Sequence, residues 1–491
     1  MTNTASAKAK KAVICVFDGL RPDRVTAELT PNLHRFATEG LWFRESRSVF
    51  PSMTRVATTS FATGSRPETH GIVHNAFFHR AVIPDRPLDT SNGDHLRAAE
   101  AHHGGRFVEA DGLGCALARA GKRYSVVHSG SAGSSYLVNH KAAEHGHRTV
   151  TLLGRDASPT PAAVDETVAR FGPIPSGGLP KTDEMAYAAR VFIEQVLKGE
   201  QPDVALIWFA EPDTSYHYRE IGSAEAVAVT RAVDAHFGDI LEAVRTGQDA
   251  EETVVVAMSD HGQIATEAEI DLFEALGAAG FPTANHLAGG IAVLGVPGIC
   301  VGLSRVDPTA VSLEALAAVL MERPETGLLF SRGASAGAAA VPGTLPFSLI
   351  GIEHARAPEL YWIARSGGEA DQHGHPGRGL MTTGGTVPVG GGMHGGLNGI
   401  ELNTMLAFGG ARLPARGQIG DLADLTDIVP TVLALLGCAV PPSMTGRPLA
   451  AVLGVEEAPV AQRVEAASAG GFSQRVTLAE SGPRSVVLEA G

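Results

Sequence analysis

The chain has 491 residues, 44% hydrophobic and 19% charged, with 58 glycines, which describes a soluble globular enzyme and excludes disordered and fibrous classes. A formal net charge of -14 excludes a general nucleic-acid binder, because phosphate backbones are repelled at long range. An anionic substrate then needs a local cation to overcome the field.

The amino-terminal segment carries lysines, but only a short apolar run over 12–17 follows before Asp18. Neither a signal peptide nor a membrane span can be drawn, and a cytoplasmic protein without membrane contact is expected. Further apolar runs over 124–128, 204–209, 253–258 and 406–408 predict strands, and the segments 183–198, 224–245, 267–277 and 422–436 predict helices. Their alternation predicts an α/β fold with a parallel, doubly wound sheet and helices on both faces. Ligands in such sheets bind beyond the carboxyl ends of the strands.

Between these elements, the irregular segment 77–180 reads as an insertion covering the site. The span 303–363, with a helix over 311–322, reads as an accessory lobe, and 454–491 as a terminal extension with one strand. Glycine-rich loops occupy 367–379 and 384–399. Cys15, Cys115, Cys300 and Cys438 stand far apart with no Cys-x-x-Cys spacing and read as free thiols.

Three of the runs deliver an acid at their carboxyl end, namely Asp18, Asp213 and Asp260. Histidines accompany them: His217 four residues after Asp213, His261 directly after Asp260, and His394 in the second glycine-rich loop. One such aspartate alone reads as a helix N-cap. Three converging carboxylates repel one another unless a cation binds among them, and mixed Asp and His donors suit zinc or another first-row metal better than magnesium.

Five segments in order carry a family resemblance: "VICVFDGLRPD", "FPSMTRVATTSFATGSRPETHGIVHN", "WFAEPDTSYH", "AMSDHGQ" and "MHGGLNGIELNTMLAFGG". The closing "DIVPTVLALLGCAVPPSMTGRPL" joins them. Over 12–449 the chain resembles the nucleotide pyrophosphatase/phosphodiesterase branch of the alkaline phosphatase superfamily. The resemblance implies an alkaline phosphatase-like catalytic domain with inserted segments and two zinc ions, or Mn2+ or another first-row metal, acting on a small phosphoryl substrate. It implies Asp213, His217 and His394 as ligands of one ion, and Asp18, Thr54, Asp260 and His261 as ligands of the other. Thr54 takes the place of the nucleophile, activated by the metal at a helix amino terminus. Asn75 takes that of a neutral donor to a phosphate oxygen, which suits a monoanionic diester.

The chain departs from the family at Arg55-Val56-Ala57 after the nucleophile and at Tyr216-His217-Tyr218, both expected near the phosphoryl or leaving group. An alternative is a phosphonoacetate hydrolase-like carbon–phosphorus hydrolase, with Lys122 or Lys141 meeting the substrate carboxylate. A non-catalytic binding protein of the same fold is the rival from another class. His373 and His375 read as part of a solvated, mobile loop, and His70 and His74 as structural.

Overall fold

Strands that are apolar on both faces must be covered on both faces, and Val204–Phe209 and Thr253–Met258 are buried at every residue. The computed structural model describes residues 9–335, 338–410, 413, 417–482 and 484–491. Its central sheet holds β1 (Lys11–Phe17), β2 (Leu41–Arg47), β3 (Tyr124–His128), β4 (Arg148–Thr151), β5 (Val204–Phe209), β6 (Thr253–Met258), β7 (Leu406–Gly410) and β8 (Gly417–Asp424). Their order is β8-β2-β7-β6-β1-β5-β3-β4.

Alternation along β1 divides the core. Ile14 and Val16 face one cluster with Val56, Ala57 and Phe61 of α1 (Thr54–Thr63), while Val13, Cys15 and Phe17 face another. That second cluster takes Met185 and Ala188 of α3 (Thr182–Val191), and Val233 and Phe237 of α5 (Ala224–Arg245). Helices therefore cover both faces, as expected. The sheet is mixed rather than parallel, because β7 runs antiparallel to both β2 and β6. Among the described residues, only the four-residue helix Gly399–Leu402 separates β7 from the strand Gly392–Met393, so β7 enters at the carboxyl edge, with Leu406 opposite Met258, and descends.

The expected boundaries need correction in five places. The segment 77–180 supplies β3 and β4 of the central sheet, so it is not a single insertion. The accessory sheet runs from Thr283 to Ala364, beginning before 303. Residues 267–270 belong to the strand Ile264–Ile270, whose pairing with Pro376–Thr382 prevails, and the helix Leu272–Ala278 begins only after its cap Asp271. The end of the chain forms three antiparallel strands, not one. They are docked on the body: the Gln474 amide donates to Leu329 O at 2.9 Å and accepts from Leu329 N–H at 2.8 Å. Likewise α6 (Leu425–Leu435) starts after its cap Asp424, later than 422. Among the described residues, no helix is long and apolar enough to cross a membrane.

Candidate metal centre

Register puts the three acids side by side. Phe17 pairs with Phe209 across β1 and β5, and Val16 with Met258 across β1 and β6. Asp18, Asp213 and Asp260 thus leave neighbouring strands at one edge. Gly19 follows Asp18 at φ +68, where a Cβ would lie 2.8 Å from Gln263 Nε2 and 3.0 Å from Asp213 Cβ, so the close approach there requires glycine.

Each carboxylate is fixed by one oxygen. Trp208 Nε1 donates to Asp18 Oδ2 at 2.9 Å, Gly19 N–H to Asp260 Oδ1 at 3.1 Å, and Gln263 Nε2 to Asp213 Oδ1 at 2.5 Å. Asp18 Oδ1 and Asp260 Oδ2 are buried with no hydrogen-bond partner. Burial first, then the charges of Asp260 and Asp213, push the Asp18 carboxyl well above its ordinary range. Burial also raises Asp260, against His261. Two orphaned anionic oxygens in a closed site are what a cation relieves.

The histidines are oriented to serve it. His217 Nδ1 donates to Gly392 O at 2.6 Å, His261 Nδ1 to Gly262 O at 3.0 Å, and His394 Nδ1 to Ser52 O at 2.7 Å. A carbonyl only accepts, so each Nδ1 carries the proton and each Nε2 presents a lone pair, the form that binds metal. Those Nε2 atoms point at the acids: His217 lies 3.3 Å and His394 3.6 Å from Asp213 Oδ1, while His261 lies 3.4 Å from Asp18 and 3.3 Å from Asp260. Burial opposes the charge of Asp213, but His217, His394 and His261 together hold its pKa below the ordinary range. Burial, aided by His261, holds His394 well below its own.

Thr54 opens α1, with Oγ1 3.2 Å from His261 Nε2. All seven expected ligand residues therefore meet in one cluster. Asp213, His261 and His394, and likewise Asp18, Asp260 and His261, bring ligand atoms within 4.8 Å of one another. The donor set fits a pair of first-row divalent ions. Asn75 lies beside Thr54, its Oδ1 accepting Arg55 N–H at 3.1 Å, which leaves Nδ2 as a donor.

Several residues fall elsewhere than expected. Tyr216 is buried with Ile221 and Ala226, its hydroxyl 3.5 Å from Thr230 Oγ1, and does not face the site. Lys122 pairs with Asp203 at 3.0 Å, at the amino end of β5 and so at the opposite edge of the sheet. Lys141 donates to Gly105 O at 2.9 Å. His373 and His375 are held by contacts, Nε2 of His373 at 2.7 Å from Glu220 and Nδ1 of His375 at 3.3 Å from Arg24. His70 meets Ser60 Oγ at 2.8 Å and His74 is buried, both as structural residues.

Sequence reasoning missed Trp208, Gln263 and Glu401. Glu401 is fully buried and shapes the His394 loop: Oε2 accepts the N–H groups of Gly395 and Gly396 at 3.0 Å, and Oε1 that of Asn398 at 2.9 Å. Burial pushes its carboxyl up to about 7 against those donors. The Asn398–Glu401 capping spacing was the available signal.

The type I phosphodiesterase/nucleotide pyrophosphatase family model matches residues 12–396. A Xenopus laevis relative, bis(5'-adenosyl)-triphosphatase enpp4, is 26% identical over 258 residues, 51% of this chain and 47% of that protein. The chain thus matches about half the length of that curated relative. The solved structure of murine ectonucleotide pyrophosphatase/phosphodiesterase 5 superposes with a TM-score of 0.60 at 16% identity, covering 88% of this chain and 96% of that one. An inactive threonine-to-alanine variant of the murine protein, in complex with AMP, matches at 15% identity over the same shares and with the same TM-score of 0.60. These structures share the fold, and the family match over 12–396 spans both the candidate metal cluster and the helix that Thr54 opens. The chain belongs to the type I phosphodiesterase/nucleotide pyrophosphatase family, within the alkaline phosphatase superfamily.

Proposed function

We propose that this protein is a two-zinc hydrolase of phosphodiester or phosphoanhydride bonds in small anionic substrates, with Thr54 as its nucleophile. The observation that carries this reading is the convergence of two buried carboxylates, the part-buried Asp213 and three histidine Nε2 atoms around the Thr54 hydroxyl. Asp213, His217 and His394 would hold one ion, and Asp18, Thr54, Asp260 and His261 the other. Zinc bound there, or manganese in its place, supplies charge that favours the Thr54 alkoxide and offsets charge on the leaving oxygen.

Thr54 Oγ1 attacks phosphorus in line as the bond to the leaving oxygen breaks, giving a threonyl-phosphoryl intermediate. Water then cleaves that ester and restores the hydroxyl. Asn75 Nδ2 donates to a non-bridging oxygen. The amide is neutral, and the Arg55 side chain is partly engaged elsewhere, Nε donating to Thr90 Oγ1 at 3.1 Å with Nη2 3.9 Å from Asp89. Two divalent ions against three aspartates and an alkoxide leave a nearly neutral site, suited to a monoanionic diester. The triphosphatase name of the Xenopus relative and the AMP held by the inactive murine variant support a nucleotide substrate. The carbon–phosphorus reading required a lysine near the site, and Lys122 and Lys141 are bound elsewhere.

Metal analysis combined with a chromogenic diester assay tests the reading. Purified protein should hold about two zinc equivalents and lose turnover on chelation. Diester hydrolysis by protein free of transition metal overturns it.

A further inference from the structure

Away from the strand ends, three more histidines converge. His79, His102 and His103 bring one ring nitrogen each within 4.8 Å of one another. His79 follows the short strand Ala76–Phe77, and its carbonyl accepts the N–H groups of Val82 and Ile83. His102 ends α2 (Gly93–His102) and His103 is its C-cap. The Nε2 atoms of His79 and His103 stand 2.7 Å apart. The rings are splayed, at 53° for His79 with His103, 78° for His102 with His103 and 85° for His79 with His102. Parallel stacking would set the lone pairs side by side, whereas three rings at such angles can surround one point.

We propose that His79, His102 and His103 form a third metal site, binding a first-row divalent ion such as zinc or copper, that clasps the loop after Phe77 to the carboxyl end of α2. Three neutral nitrogen donors select such ions over magnesium or calcium, which take oxygen. The carbonyls at a helix carboxyl end add a favourable field for a cation. Burial, reinforced by His103 and Arg356, holds His79 down to about 4, so its ring is neutral near pH 7. Arg356 opposes charge on His79 and His103, but it is paired with Glu109 at 2.7 Å; Glu100 and Glu109 act favourably on His103. The 2.7 Å contact without an ion needs one Nε2 proton; on binding, that ring takes its proton on Nδ1 and the number of bound protons is unchanged. His79, His103 and Arg356 also line a cavity of about 480 Å³, from which water would complete the coordination.

The test titrates the holoprotein, its tightly held metal retained, with zinc(II) and copper(II). Wild type should take up one added equivalent, with a nitrogen-ligated copper(II) signal by electron paramagnetic resonance. His79→Ala and His102→Gln should each weaken that uptake ~10-fold or more, because a ligand is lost. His102 is exposed, so its replacement spares the fold. Tightly held metal and diester turnover should match wild type in both variants, so the result is independent of the catalytic reading. No added equivalent in wild type, or unchanged uptake in both variants, overturns the proposal.

Discussion

At the strand ends each histidine gives its Nδ1 proton to a backbone carbonyl and aims Nε2 at buried carboxylates. In the His79 group, among the described residues, the sole ring-nitrogen hydrogen bond is the one between His79 and His103, and no carboxylate joins the cluster. The first arrangement carries negative charge and fixed tautomers before any ion arrives. The second offers only neutral donors, one of them on an exposed residue. Imidazoles that merely converge make a weak, exchangeable site; pre-oriented rings beside orphaned carboxylates make a tight one that can do chemistry.

Removing the Thr54 hydroxyl, the proposed nucleophile, gives the strongest separation of the two clusters. Thr54→Ala should lower diester turnover ~1000-fold or more while keeping most of the metal, since the other ligands remain. His79→Ala in the same assay should leave turnover unchanged. Near wild-type hydrolysis by Thr54→Ala would break the contrast and direct attention to another hydroxyl, Ser52 or Thr58.

The next effect concerns the scaffold behind a ligand. Glu401→Gln replaces an acceptor of three backbone N–H groups with an amide whose NH2 must face one of them. The loop then misplaces His394, and zinc affinity should fall by ~10–100-fold, as for other residues supporting metal ligands. Competition with a chromogenic chelator measures it. Affinity equal to wild type would show that the loop holds its shape without Glu401.

A smaller effect tests the charge balance. kcat/KM for an aryl diester should exceed that for the matching monoester by ~10-fold, which corresponds to about 1.4 kcal/mol of differential stabilisation. A wild-type preference for the monoester that disappears in Arg55→Ala would assign selectivity to Arg55 rather than Asn75.

The strand ends were legible because a strand buried on both faces leaves a continuous apolar run, and the polar residue that closes it is the one at the sheet edge. That logic located Asp18 and Asp260 directly and Asp213 through the intervening Glu211-Pro212. It misread 267–270, where Ala and Glu favour a helix but pairing with Pro376–Thr382 decides. The antiparallel sense of β7 had no local signal, since a run of apolar residues reads the same in either direction. Trp208 and Gln263 were hidden for another reason. Their roles depend on partners 190 and 50 residues away, and no pattern within either segment reports that. The terminal strands were undercounted because their outer faces alternate with small and charged residues, which resembles a solvated tail until Gln474 is seen clipped to Leu329.

The candidate ligands at the strand ends come from residues as far apart as Asp18 and His394, whereas the other three histidines lie between residues 79 and 103. Ion binding at the first set therefore requires nearly the whole chain to be in its native arrangement, so its free energy adds to global unfolding stability. Stripping that metal should shift the cooperative transition of the entire domain. An ion on His79, His102 and His103 closes a short loop and is coupled to local opening, visible as slowed amide exchange around α2 with little change in the melting temperature.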